Sequence, residues 1–389
     1  MKKRIKTSEF YFALYYITFV VALFSEDIAF QGVDISVITK WIKATVTIVL
    51  IIASISKSWK KSTFVRLLVG IFVGIVILLC SGDFFWIIVI LMGFISENID
   101  EKHILKITFW TTLILTIFVI LLYISGVVPD IYTYRTDFSN EIRHSIGFIH
   151  SSVLPLISLY LFCYFLLLKK ENIRKRHLVL FLLISLILYK ICLSRNALIF
   201  SIFLIMIEFL LGFEKIKLVL TKKFNILSGH LATICMIFSI IPGYLRYKGV
   251  LVNVWYMLDA IFTNRTMLAA AAIKNYGIHF LNKMNYETYS SKIIQVDNYQ
   301  WNGIVLDSAY LYIVIRYGMF VLILLWFIFW FLHKKNINQV IDNVVVVTLI
   351  LVNMIDNDIL SYGFLPIMLI GIRSFWKYTY KKESRNKSI

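Results

Sequence analysis

Apolar runs of nearly bilayer-spanning length recur along this chain, separated by short polar segments. A hydrocarbon core takes about 20 apolar residues per helix, with roughly 17 to 25 tolerated. Read with that ruler, the pattern predicts about twelve spans, near 9–24, 37–56, 64–81, 84–96, 107–125, 151–168, 178–194, 196–212, 226–243, 308–332, 343–355 and 363–376. The fourth, eleventh and twelfth are short. No internal repeat or low-complexity tract interrupts the series. The expectation is an all-α polytopic membrane protein, with residues 1–389 forming a single integral membrane domain. Two polar segments are too long to be simple turns: 126–150 and 244–307.

Composition agrees, with 60% of residues apolar, far from the usage of soluble domains. The net charge of +18 could suggest nucleic acid, but its placement argues against it. Basic residues cluster at every second boundary between apolar runs: Lys2-Lys3-Arg4-Lys6, Lys57-Lys60-Lys61-Arg66, Lys169-Lys170-Arg174-Lys175-Arg176, Lys215-Lys217-Lys222-Lys223, Lys334-Lys335 and Lys377-Lys381-Lys382-Arg385-Lys387. The positive-inside rule makes that side cytoplasmic. Both termini then lie in the cytoplasm, and both long polar segments face away from it. Cytoplasmic loops of about a dozen residues leave no room for an ATPase module, and no P-loop motif occurs. Cys80, Cys163, Cys192 and Cys235 lie in or beside apolar runs without metal-ligand spacing, and read as small core residues.

Topology makes certain cations unusual. Segment 126–150 carries Arg135, Glu141, Arg143, His144 and His150 on the side where arginine is normally avoided. Arg195 sits in Leu193-Ser194-Arg195-Asn196-Ala197, where two apolar runs meet with no room for a loop. A tight outer turn must bring it to the surface near the first long segment, either snorkelling or meeting an anion. In the second segment, a helix is expected near 258–276. Its alanine run favours it, Thr263 or Asn264 offers a cap, Gly277 suits its end, and Arg265 falls in its first turns. Residues 282–304 are polar and aromatic and are expected to be irregular. Arg316 lies nine residues past Asp307, roughly 13 Å along a helix. At that depth a cation needs a function or a partner, and Asp83 and Asp259 are the candidates for one. Asp356-Asn357-Asp358 has metal-binding DxD spacing, but three polar residues at a helix end are ordinary.

Several guanidiniums on the outer side imply a bulky anion there. A lipid-linked diphosphate fits. Arginine binds phosphate oxygens bidentately and stays charged, and arginines aimed at a departing diphosphate stabilise the transition state. Nucleotide sugars are absent on that side, so a transferase there must use a lipid-activated donor. On this reading Arg143, Arg195 and Arg265 bind the diphosphate, with Arg135 and Arg316 as further candidates. His144, His150, Glu141 and Asp307 are the candidates to take a proton from an acceptor hydroxyl. No metal or cofactor is called for.

Four stretches in this order resemble the Wzy-type polysaccharide polymerases, within the larger group of O-antigen ligase and polymerase membrane proteins. They are Arg143-His144-Ser145-Ile146-Gly147-Phe148-Ile149-His150; Leu193-Ser194-Arg195-Asn196-Ala197; Asn264-Arg265-Thr266 leading to Tyr276-Gly277; and Asp307-Ser308-Ala309-Tyr310-Leu311 followed by Arg316-Tyr317-Gly318. The likeness covers most of the chain. Ser151-Ser152 stands where the pattern has proline and asparagine, and Ser308 where it has asparagine. The resemblance implies a GT-C-like helical glycosyltransferase in the bacterial cytoplasmic (inner) membrane, making O-antigen, capsule or exopolysaccharide. Its substrate would be an oligosaccharide repeat unit on undecaprenyl diphosphate, and its activity polymerisation without metal or nucleotide. A flippase and a chain-length regulator would be its partners. A glycan ligase using the same donor, and a lipid-linked oligosaccharide flippase, are the rival readings.

Overall fold

The structure, a computed structural model, describes residues 7–30, 35–56, 61–134, 141–170, 173–261, 265–282, 293–296, 299–302, 306–336, 339–357 and 360–386. Its fold is all-α. Every stretch expected to span is helical: α1 Thr7–Ser25, α2 Ile35–Ser56, α3 Lys61–Ser81, α4 Phe85–Ile95, α5 Glu101–Ile124, α6 Val153–Lys169, α7 Lys175–Cys192, α8 Arg195–Leu211, α9 Glu214–Tyr247, α10 Val252–Ile261, α11 Arg265–Tyr276, α12 Ala309–Tyr317, α13 Met319–Lys335, α14 Val340–Ile355 and α15 Leu365–Asn386. Among the described residues, five helices (α1, α2, α3, α5 and α9) are long and apolar enough to cross a bilayer. Shorter apolar helices cover Phe85–Asn98, Val153–Lys169, Val340–Ile355 and Leu365–Phe375.

The helices carry apolar side chains on all sides. Trp86, Tyr160, Tyr164, Tyr310 and Phe19 are buried between them, while Trp41, Phe72, Leu79 and Ile124 are exposed. A helix apolar all round belongs in a membrane or deep in a large core, and faces this apolar need lipid against them. Close approach comes from small residues. A Cβ on Gly74 of α3 would stand 2.9 Å from Ile87 Cγ1 of α4, so glycine there lets the two helices touch. Helix starts are fixed by acids that accept backbone N–H groups. Asp100 accepts from Lys102 N at 3.3 Å, and Asp83 from Phe85 N at 3.0 Å.

Two expectations need correction. The stretch 308–332 is two helices, broken at Gly318, whose φ is +95°. Residues 279–282 are inserted at the break. Met319 N donates to His279 O at 2.9 Å and Phe320 N to Phe280 O at 3.0 Å. In return Asn282 donates to α12, from its N–H to Tyr317 O at 3.3 Å and from its side chain to Ile315 O. A Cβ at 318 would lie 2.5 Å from Phe280 O, so only glycine admits the insert. The break survives because these contacts give freed backbone groups new partners.

Of the helix expected near 258–276, α10 covers the start and α11 the stretch from Arg265 to Tyr276. Thr263 and Asn264 lie outside the described residues. The N–H of Thr266 is taken instead by Asp259, at 2.9 Å. Gly277 ends α11 as expected, with φ +71°. Finally, 282–304 is not wholly irregular. β3 Ile293–Val296 and β4 Tyr299–Asn302 form an antiparallel hairpin, with Gln295 opposite Gln300. A second small hairpin, β1 Thr133–Tyr134 with β2 Ile142–Arg143, organises the first long segment.

Candidate functional site

The first long segment is held against two helix ends. Ala29 N donates to Gly147 O at 3.0 Å and Ile149 N to Asp27 O at 2.9 Å, tying it to the turn after α1. His144 N donates to Ile191 O at 3.3 Å, tying it to the end of α7. Phe148, fully buried, packs edge-on to Phe24 with ring centres 5.9 Å apart. These contacts give residues 143–150 a fixed course.

Within that course Asp130 and His144 meet. The β1–β2 hairpin brings the two ends of the segment together, with Thr133 opposite Arg143. His144 Nδ1 lies 2.5 Å from Asp130 Oδ2. The other carboxylate oxygen, Oδ1, accepts from Ser145 N at 2.8 Å, Ile146 N at 3.0 Å and Ser145 Oγ at 3.3 Å. Partial burial would raise the Asp130 carboxyl, but the hydrogen bonds from His144, Ile146 and Ser145 outweigh it and hold it below its ordinary value. Nothing in the spacing of the sequence singles Asp130 out.

His150 has different surroundings. Ser152 N donates to its Nδ1 at 3.2 Å, and Ser152 Oγ lies 2.8 Å from the same nitrogen. It is open to solvent. Desolvation by the protein around it, and then the Arg143 guanidinium, hold its pKa below the ordinary histidine value, while Asp307 opposes them. Arg143 and Asp307 therefore each lie within electrostatic reach of His150. Asp307 also receives Arg265, from Nε to Oδ2 at 3.0 Å. Arg265 is set by the start of α11, which is anchored in turn. Asp259, buried, holds both the Thr266 N–H and its hydroxyl, the latter at 2.8 Å. It also pairs with Arg246 of α9.

Asp307 thus links Arg265, by an ion pair, to His150, which also feels Arg143, with His144 on the same loop as the last two. Arg195 stands at the neighbouring corner. The tight turn is there: α7 ends at Cys192, Leu193 is left-handed at φ +51°, and α8 begins at Arg195. Arg195 is exposed, as is Glu141, and Asn196 donates to Asp356 at 3.2 Å. Arg135 and Asp358 lie outside the described residues.

Arg316 is placed elsewhere. Its partner is Asp83, at 2.9 Å, while Asp259 is taken by Arg246. Tyr317 donates to the same Asp83 oxygen at 2.6 Å, and Arg316 donates to the Tyr312 hydroxyl. Its guanidinium also lies over the rings of Tyr317 and Tyr312, at 5.1 and 5.6 Å from their centres. Among the described residues, no three His, Cys, Asp or Glu side chains converge as metal ligands. No known family model, curated protein or solved structure matches the chain.

Proposed function

We propose that this chain is a surface-polysaccharide polymerase of the bacterial cytoplasmic membrane. It crosses the bilayer twelve times, with α12 and α13 counted as one broken crossing, and both termini are cytoplasmic. The long segments 126–150 and 244–307 form its outer face. There it joins oligosaccharide repeat units carried on undecaprenyl diphosphate. The observation that supports this best is that Arg143 and Asp307, from two segments far apart in sequence, both act on His150, while Asp307 pairs with Arg265.

The chemistry asks for such a cluster. A hydroxyl of the incoming repeat unit attacks the anomeric carbon of the growing chain. The bond from that carbon to the diphosphate oxygen breaks, and its electron pair leaves with the diphosphate. The hydroxyl proton passes to a base on the protein. Guanidiniums of Arg143, Arg195 and Arg265 offset the charge that develops on the leaving oxygen. Asp307 meets Arg265 through Nε, and the arginine stays about one-third exposed. Arg135 is a further candidate for the diphosphate, whereas Arg316 is taken up by Asp83. His144, His150, Glu141 and Asp307 are the groups available to take the proton.

Reporter fusions test the sidedness on which this rests. Fusions after Thr136 and after Gln300 should read as external, and those after Lys170 and Lys223 as cytoplasmic. A cytoplasmic 126–150 segment would put the arginines among nucleotides and remove the reading.

A further inference from the structure

The two histidines of segment 143–150 are held in opposite tautomers. His150 Nδ1 accepts the Ser152 N–H at 3.2 Å, so in the neutral ring the proton sits on Nε2. That ring presents a donor to whatever lies in front of it. His144 Nδ1 faces a carboxylate oxygen at 2.5 Å, which can only accept. Its neutral ring therefore carries the proton on Nδ1 and leaves Nε2 as an acceptor. The His144 side chain is 44% exposed and Asp130 19%, so the ring edge is open while its orienting partner is enclosed.

Resting on the polymerase reading, we propose that His144 takes the acceptor hydroxyl's proton through Nε2, and that Asp130 is its positioning residue. Asp130 fixes the tautomer and stabilises the imidazolium that forms. His150, the opposite tautomer beside Arg143 and Asp307, donates a hydrogen bond to a diphosphate oxygen. The proton balance closes: the hydroxyl proton moves to His144 Nε2, the Nδ1 proton stays on its hydrogen bond to Asp130, and the electron pair leaves with the diphosphate.

Asp130→Asn is a selective test because the amide's orientation is dictated. The N–H groups of Ser145 and Ile146 both point at Oδ1, so the amide oxygen must stay there and its NH2 must face His144. That donor forces the His144 proton onto Nε2 and removes the acceptor. Full-length protein carrying ¹⁵N-histidine would be compared at a pH of about 8, above the ordinary histidine range, with His144→Gln assigning the signals. Wild-type His144 should show a protonated Nδ1, and Asp130→Asn should exchange the two nitrogen signatures. The polymerisation rate should fall roughly 10²- to 10⁴-fold with the acceptor KM unchanged, and Asp130→Glu should restore part of it. A protonated Nε2 in the wild type would overturn the proposal even if the asparagine variant failed to fold. So would a tautomer exchange that left polymerisation unchanged. If wild-type protein showed the Nδ1–H tautomer yet made no polymer, the polymerase reading would fall and the Asp130–His144 arrangement would stand.

Discussion

Arg265 and Arg316 each meet an aspartate at about the same distance, 3.0 and 2.9 Å, yet they stand in different situations. The Arg265–Asp307 pair is 32% and 36% exposed, and the arginine enters it through Nε. The Arg316–Asp83 pair is 16% and 12% exposed and is enclosed by Tyr312 and Tyr317, which supply hydrogen bonds and ring faces. An ion pair enclosed in this way inside a helical body holds helices together. A partly exposed ion pair, entered through one nitrogen of the guanidinium, can receive a ligand. Distance alone does not separate the two; burial and the remaining partners do.

The sharpest way to break this comparison is to remove each arginine. Arg316→Ala leaves Asp83 buried without its cation, which costs about 3–5 kcal/mol in comparable cases. Folded protein should fall steeply, seen as a lower Tm in detergent and a reduced membrane level. Arg143→Ala and Arg265→Ala should keep normal protein levels and lose polymer instead, as should Arg195→Ala. Each loss is about 2–4 kcal/mol of transition-state stabilisation, roughly 30- to 1000-fold in rate. Lysine at these positions should recover only part, since the bidentate geometry is gone. Normal levels of Arg316→Ala, or wild-type glycan ladders from all three outer variants, would erase the distinction.

Much of this was legible in the sequence because its causes are local. The apolar runs fixed where helices lie, and Leu193-Ser194-Arg195 implied a tight corner because no residues were left for a loop. Asp83 was one of two partners open to Arg316. The break at Gly318 was not legible. Hydropathy runs through it unbroken, and residues 279–282, which satisfy it, lie in a distant polar segment. Asp130 was missed for a similar reason. It and His144 sit at opposite ends of one loop, and only the β1–β2 hairpin closes them onto each other. Arg265 and Asp307 were each singled out, but their pairing depends on Asp259 anchoring α11.

A smaller effect sharpens the picture of the open cluster. The His150 titration, followed by NMR, should respond to both neighbours with opposite signs. Arg143→Ala removes a cation that disfavours the imidazolium, so His150 should titrate at higher pH. Asp307→Asn removes an anion that favours it, so His150 should titrate at lower pH. No response to either change would mean that the three groups do not share a site.

The central claim is that this membrane protein itself joins repeat units. Purified full-length protein would be given repeat units on undecaprenyl diphosphate in detergent, with EDTA present. The account predicts a ladder of polymer on the lipid carrier, with Asp356→Asn plus Asp358→Asn within a few-fold of wild type. Loss of polymer in EDTA that magnesium or manganese restores would contradict the arginine-only mechanism. Protein that makes no polymer under any of these conditions, yet moves the lipid-linked unit between the leaflets of a vesicle, would contradict the enzyme itself.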